Sequence, residues 1–279
     1  SLPHPHDSIG STNPPHPLFN IQHLSKGHNE LRINNIDGYV HNEWTFNTKN
    51  ADVLTLSLGL RANYWGYNND VNVSPRAGLA YKPSWNSDML FRLSGGVYVQ
   101  PPFYRELRMF DGSLVSPENA STQKSYQAVF THEYNFTAWG RPFVLTSELY
   151  YKYLKDIIPY EVDNIRIRYF ADQKATGYAA GLDVRINGEF VKGIESWASL
   201  SIMKSAENIK YYLSSNGTIL SQTDVNNGAE YVCDTIIRGI PRPSDQRVNM
   251  SIFFQDYLPF IPSFKVNLKL VFGTGMPFG

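Results

Sequence analysis

The chain has 279 residues, of which 42% are hydrophobic and 14% aromatic, and its 25 Lys+Arg balance 25 Asp+Glu. A zero net charge argues against a polyanionic partner, so nucleic acid is excluded as an expected ligand, and no apolar run approaches the ~18 residues of a transmembrane helix. An aromatic-rich, aliphatic-poor composition suits a membrane barrel, which needs an apolar exterior, a polar lumen and aromatic girdles.

Residues 1–33 are rich in Pro, His, Ser and Asn and have no hydrophobic period, so they are expected to form an irregular, extracellular loop segment. Five of the seven histidines fall here (His4, His6, His16, His23 and His28). A metal cluster is conceivable from such a tract, but there is no paired helical spacing or partnering carboxylate, so an exposed Pro-interrupted loop is expected, with no cofactor. Cys233 stands alone and cannot form an internal disulfide.

From Ile36 onward the pattern has period two. NIDGYVHNEWTF and DVLTLSLGLRANYW are the first two strands; in the second, Leu54, Leu56, Leu58 and Leu60 oppose Thr55, Ser57, Gly59 and Arg61. NVSPRAGLAYKP sets Val73, Ala77, Leu79 and Tyr81 against Arg76, Gly78 and Ala80, and DMLFRLSGGVYVQ sets Phe91, Leu93, Val97 and Val99 against Arg92, Ser94, Tyr98 and Gln100. After a long connection, KSYQAVFTHEYNF and FVLTSELYYKYLKD follow, then an arm over 157–175 that doubles back. The next strand has Tyr178, Ala180, Leu182, Val184 and Ile186 on one side and Ala179, Gly181, Asp183, Arg185 and Asn187 on the other. SWASLSIMKSAE, a longest loop over 207–243, DQRVNMSIFFQDY and SFKVNLKLVFGTG complete about ten strands.

Connections alternate in length. Those near 47–52, 83–87, 137–141, 191–195 and 258–262 are short; those near 100–122, 155–175 and 207–243 are long. Sorting by parity marks an outer-membrane barrel. Trp65, Tyr81, Trp85, Trp139, Tyr151, Trp197, Tyr257 and Phe260 are placed near strand ends, where amphipathic rings sit in a bilayer, so the apolar face is expected to look outward at lipid.

PRAGLAYKP with FRLSGGVYVQPPFYREL, the hairpin SELYYKYLKDIIPYEVDNIRIRYFADQKATGYAAGLDVRINGEF, and the segment ending FGTGMPFG together resemble the barrel of TonB-dependent outer-membrane receptors, of Bacteroidetes type. The likeness covers about 36–279. It implies an all-β, antiparallel transmembrane β-barrel in which 34–279 supply about ten of twenty-two strands, with the N-terminal plug and the TonB-recognition box absent. It implies the bacterial outer membrane as location, outer-membrane lipid as surroundings, TonB as a partner through the missing plug, and a siderophore, metal chelate or oligosaccharide as imported ligand. The abrupt ends of the chain also suggest a fragment.

No nucleophile elbow, phosphate loop or Cys-x2-Cys pair is present. Glu148 and Asp183 are the nearest approach to an acid–base pair, and a wet lumen holds such carboxylates without catalysis, so no enzyme is expected. The inward mix of Arg76, Arg92, Tyr98, Gln100, Arg166, Arg168, Arg185 and Arg247 could attract an anionic ligand or could pair with lumenal acids or the plug. Phe103, Tyr104, Phe110 and Tyr211 in the loops could stack on a sugar or chelate, or pack loop on loop. Ligand binding is therefore expected at Arg92, Tyr98, Gln100, Phe103, Tyr104, Arg166, Arg168 and Arg185. Two alternatives remain open: a complete ten-stranded outer-membrane enzyme, and a soluble secreted carbohydrate-binding β-protein.

Overall fold

Alternating side chains become one antiparallel sheet in the computed structural model, which describes residues 29–48, 50–109, 112–163, 166–215, 219–220, 228, 230–258 and 261–277. Ten strands follow one another in chain order: β1 (Asn35–Asn47), β2 (Val53–Trp65), β3 (Asp70–Lys82), β4 (Asp88–Gln100), β5 (Gln123–Ala138), β6 (Arg141–Ile157), β9 (Ala175–Val191), β10 (Ile194–Leu213), β13 (Val248–Leu258) and β14 (Ile261–Gly273). A separate hairpin, β7 (Tyr160–Asp163) with β8 (Arg166–Tyr169), forms the doubled-back arm between β6 and β9. The short strands β11 (Ile219–Leu220) and β12 (Cys233–Pro241) pair with the far end of β10. The path is not closed, because β1 pairs with β2 and β14 with β13 and with no other described strand.

Register keeps the two faces separate across the whole sheet. Trp44, Leu56, Leu79, Leu93, Phe130, Leu149, Leu182, Ile202 and Val248 are successive cross-strand partners, one per strand from β1 to β13. The adjacent row reads Thr45, Thr55, Ala80, Arg92, Thr131, Glu148, Asp183, Ser201 and Asn249. A slip of one residue would exchange these rows, so the burial pattern pins the register. The apolar row is the exposed one: Leu93 is 55%, Leu149 58% and Leu182 40% accessible. Such values rule out a closed water-soluble core on that face and leave lipid as the medium that would cover it.

Buried apolar side chains lie mainly at the ends of the strands. At the long-connection end, Trp65, Leu107, Val115, Ala120 and Ala171 form a cluster on which Leu31, Ile33, Tyr67, Met109 and Leu114 pack. At the short-turn end, the Phe143 ring lies between Phe136 (centroids 5.6 Å) and Phe190 (5.1 Å). The β5–β6 turn is Trp139–Gly140 with φ of 52° and 69°; two positive φ values make the tight hairpin whose twist matches its strands. Asp52 accepts the Ser84 N–H at 2.7 Å and joins two neighbouring turns. That N–H holds the Asp52 carboxyl below the ordinary range.

Two expectations need correcting. The 207–243 stretch is not a plain loop: β10 continues to Leu213 and β12 pairs with it, so the sheet extends outward past its neighbours. The aromatic placement holds only in part. Tyr151 lies in the middle of β6 and Trp65 is buried under the loops at 1% accessibility, while Trp197 shares the polar face and stacks on Arg185 (5.0 Å). The five N-terminal histidines, Phe110 and Phe260 lie outside the described residues.

Candidate ligand-binding wall and outer rim

Cross-strand register places Arg76, Arg92, Tyr98, Gln100, Glu148, Asp183 and Arg185 on one polar face, together with Asp37 and Arg61. Electrostatics there are largely internal. Arg61 donates to Asp37 at 2.7 Å, and Arg92 lies 3.9 Å from Glu133. The Arg76 guanidinium sits 4.4 Å from the Tyr98 ring centroid; Arg185 donates to Asn187 at 2.8 Å and covers Trp197. Arg76 and Arg185 have no carboxylate partner among the described residues. Glu148 and Asp183 are direct partners, and the Thr131 hydroxyl donates to Glu148 at 3.4 Å. A groove of about 770 Å³ runs along this face, bordered by Asp37, Tyr39, His41, Arg61, Arg76 and Tyr98.

Above the wall, the long connections are tied together. Asn29 donates to the Gly112 carbonyl (2.7 Å), Asn68 to Ala120 (3.1 Å), and Tyr67 to Val115. Burial pushes the Tyr67 phenol up from its usual value. Glu106 accepts both the Phe103 N–H (2.9 Å) and the Gln123 amide (3.0 Å), and Gln123 in turn accepts the Ile158 N–H at the root of the arm. Burial, with Glu106 close by, raises the Tyr169 phenol in the arm. Further along the rim, Arg242 lies over the Tyr160 ring at 5.7 Å and faces Glu207 at 3.8 Å, joining the arm to the outer part of β10.

The expected site residues therefore do not form one cluster. Arg92, Tyr98 and Gln100 line up on β4, with Gln100 opposite Gln123. Arg185 is on the same face but three strands away, about 14 Å at ~4.8 Å per strand. Phe103 and Tyr104 stand exposed in the connection above β4, at 64% and 44% accessibility. Arg166 and Arg168 belong to β8 in the arm, where Arg168 is exposed and opposite Glu161. Sequence reasoning did not select Asp37 or the Glu207–Arg242 pair. Asp37 could be found from parity alone, as the same-face residue diagonal to Arg61 across β1 and β2; the second pair depends on how two loops fold together.

A sheet with a lipid-ready face, a hydrogen-bonded polar face, and connections sorted into short turns and long knitted loops defines the wall of an outer-membrane-type β-barrel. The TonB dependent receptor-like β-barrel family model matches residues 4–278, and the chain belongs to that family. Its members are receptors and transporters of the outer membrane rather than enzymes. No curated protein and no solved structure matches the chain.

Proposed function

We propose that this chain forms wall and outer rim of a receptor that imports a scarce, large nutrient: a siderophore, another metal chelate, or an oligosaccharide. The observation that carries this reading is the knitted rim above a polar wall, with the Phe103 and Tyr104 rings left exposed on it. Exposed rings present flat apolar faces to a sugar or a chelate, and Arg76 and Arg185, without carboxylate partners among the described residues, supply positive charge beneath. Import energy would come from TonB acting through the plug that the family resemblance implies. In this scheme the ion-paired Arg92 is a wall residue rather than a ligand contact.

The test is titration of the purified receptor with a panel of ferric chelates and oligosaccharides, read by intrinsic fluorescence. F103A/Y104A should weaken the ligand that binds by about tenfold, as two lost stacking contacts imply, without altering membrane insertion. Unchanged affinity would remove this loop from capture.

A further inference from the structure

The outer end of the lipid-facing side carries charge that a hydrophobic exterior does not require. Lys124 on β5 and Lys155 on β6 are directly opposed partners. They share a side with Tyr126 and Tyr153, the next outward-facing pair toward the membrane, whose ring centroids are 6.1 Å apart. Like charges directly opposite one another destabilise a ladder. Among the described residues neither ammonium has an ion-pair or hydrogen-bond partner, whereas Lys82 and Lys210 each have an aspartate at 2.9 and 2.8 Å. Lys204 on β10 faces the same side but is in register, through Ala180, with Tyr151, so it lies nearer the membrane centre and apart from the pair.

Their level in the membrane follows from the aromatic rows. Tyr126 pairs with Tyr153 and Phe136 with Phe143, ten residues apart along β5. At ~3.3 Å per residue and ~40° tilt this spans about 25 Å, the height of the outward apolar band of a barrel. The lysine pair thus stands one row beyond the band on the long-loop side, where headgroups lie.

We propose that Lys124 and Lys155 bind the phosphate of an anionic lipid headgroup in the outer leaflet, with Tyr126 and Tyr153 packed beneath it. A phosphate between the two ammonium groups turns a repulsive pair into a bridged one through charge-assisted hydrogen bonds. This assignment rests on the membrane orientation above, with the long connections outward.

The experiment uses the receptor extracted from outer membrane in mild detergent, delipidated, and titrated in native mass spectrometry with diphosphorylated lipid A. Phosphatidylethanolamine is the second lipid arm and millimolar inorganic phosphate the competitor. K124Q/K155Q should retain lipid A about tenfold less, or weaker still; K124R/K155R should retain it, and phosphatidylethanolamine should not distinguish the three proteins. Equal retention by the Gln variant would overturn the site and leave two lysines reaching for water. Displacement of lipid A by inorganic phosphate would overturn the lipid assignment in favour of a free-anion site. Should the Gln variant misfold, the wild type still decides: retention must fall with rising salt, and salt-independent retention overturns the proposal. A wild type without a heat-modifiable gel mobility would sink the barrel orientation itself, an outcome distinct from failure of the lysine site.

Discussion

At the scale of single residues, rings lying over glycines hold β6 against β9. Phe143 pairs with Gly188 on the lipid-facing side, and a Cβ built on Gly188 would collide with the Phe143 ring, which is only 2% accessible. Tyr150 and Gly181 repeat the arrangement on the polar side of the same strand pair. A glycine in a strand interior ordinarily weakens it; here the missing side chain is the space that the ring fills. G188A should therefore destabilise the inserted receptor by about 1–3 kcal/mol, the usual cost of overpacking. G38A, where an added Cβ meets nothing within 4 Å, should stay within about 0.5 kcal/mol of wild type. Urea unfolding from lipid vesicles separates the two, and equal midpoints would show that the ring simply turns aside.

At the scale of elements, the outward extension of β10 and β12 depends on a buried charge. Glu207 is 3% accessible and its Oε2 has no hydrogen-bond partner among the described residues, the Arg242 guanidinium standing 3.8 Å away. Burial pushes the Glu207 carboxyl above its ordinary value of 4.5, and Arg242 pulls part of the way back. A carboxyl raised on folding contributes stability while protonated and loses it as pH rises, so the window opens near 4.5 and extends upward. Amide protection in β12, corrected for intrinsic exchange, should fall across weakly acidic pH, and E207Q should flatten the profile. A flat wild-type profile would mean that Arg242 keeps the group ionised throughout. This extension was also the part least legible in the sequence. CDTIIRGIP places Ile236 and Ile237 side by side, both nearly half exposed, so no alternation announces β12. The strands with clean alternation, β2 and β4 above all, show the bounds and faces that their leucines and arginines imply. Parity likewise gave the wall positions of Arg92, Tyr98 and Arg185. It could not say that Arg92 meets Glu133 or that Arg185 lies on Trp197, because those contacts depend on the rotamers chosen across neighbouring strands and, for Arg92, on a partner beyond the long connection.

At the scale of the whole molecule, the two free edges decide what the sheet can do alone. β1 and β14 are each 13 residues long, and each has one neighbour among the described strands. In hydrocarbon every backbone N–H or C=O without a partner costs several kcal/mol, so two open edges of this length are incompatible with insertion. The edges must meet each other or meet further strands. Belonging to a receptor barrel family favours further strands, with these ten as one sector of a larger wall. The 279-residue chain refolded by itself into detergent micelles should then give no heat-modifiable band and should aggregate through its edges. Cysteines placed at Asn42 and Val266, in the centres of β1 and β14, should not cross-link within one chain. A sharp heat-modifiable band together with that cross-link would show a sheet able to close on itself, and would make a ten-stranded barrel the working unit.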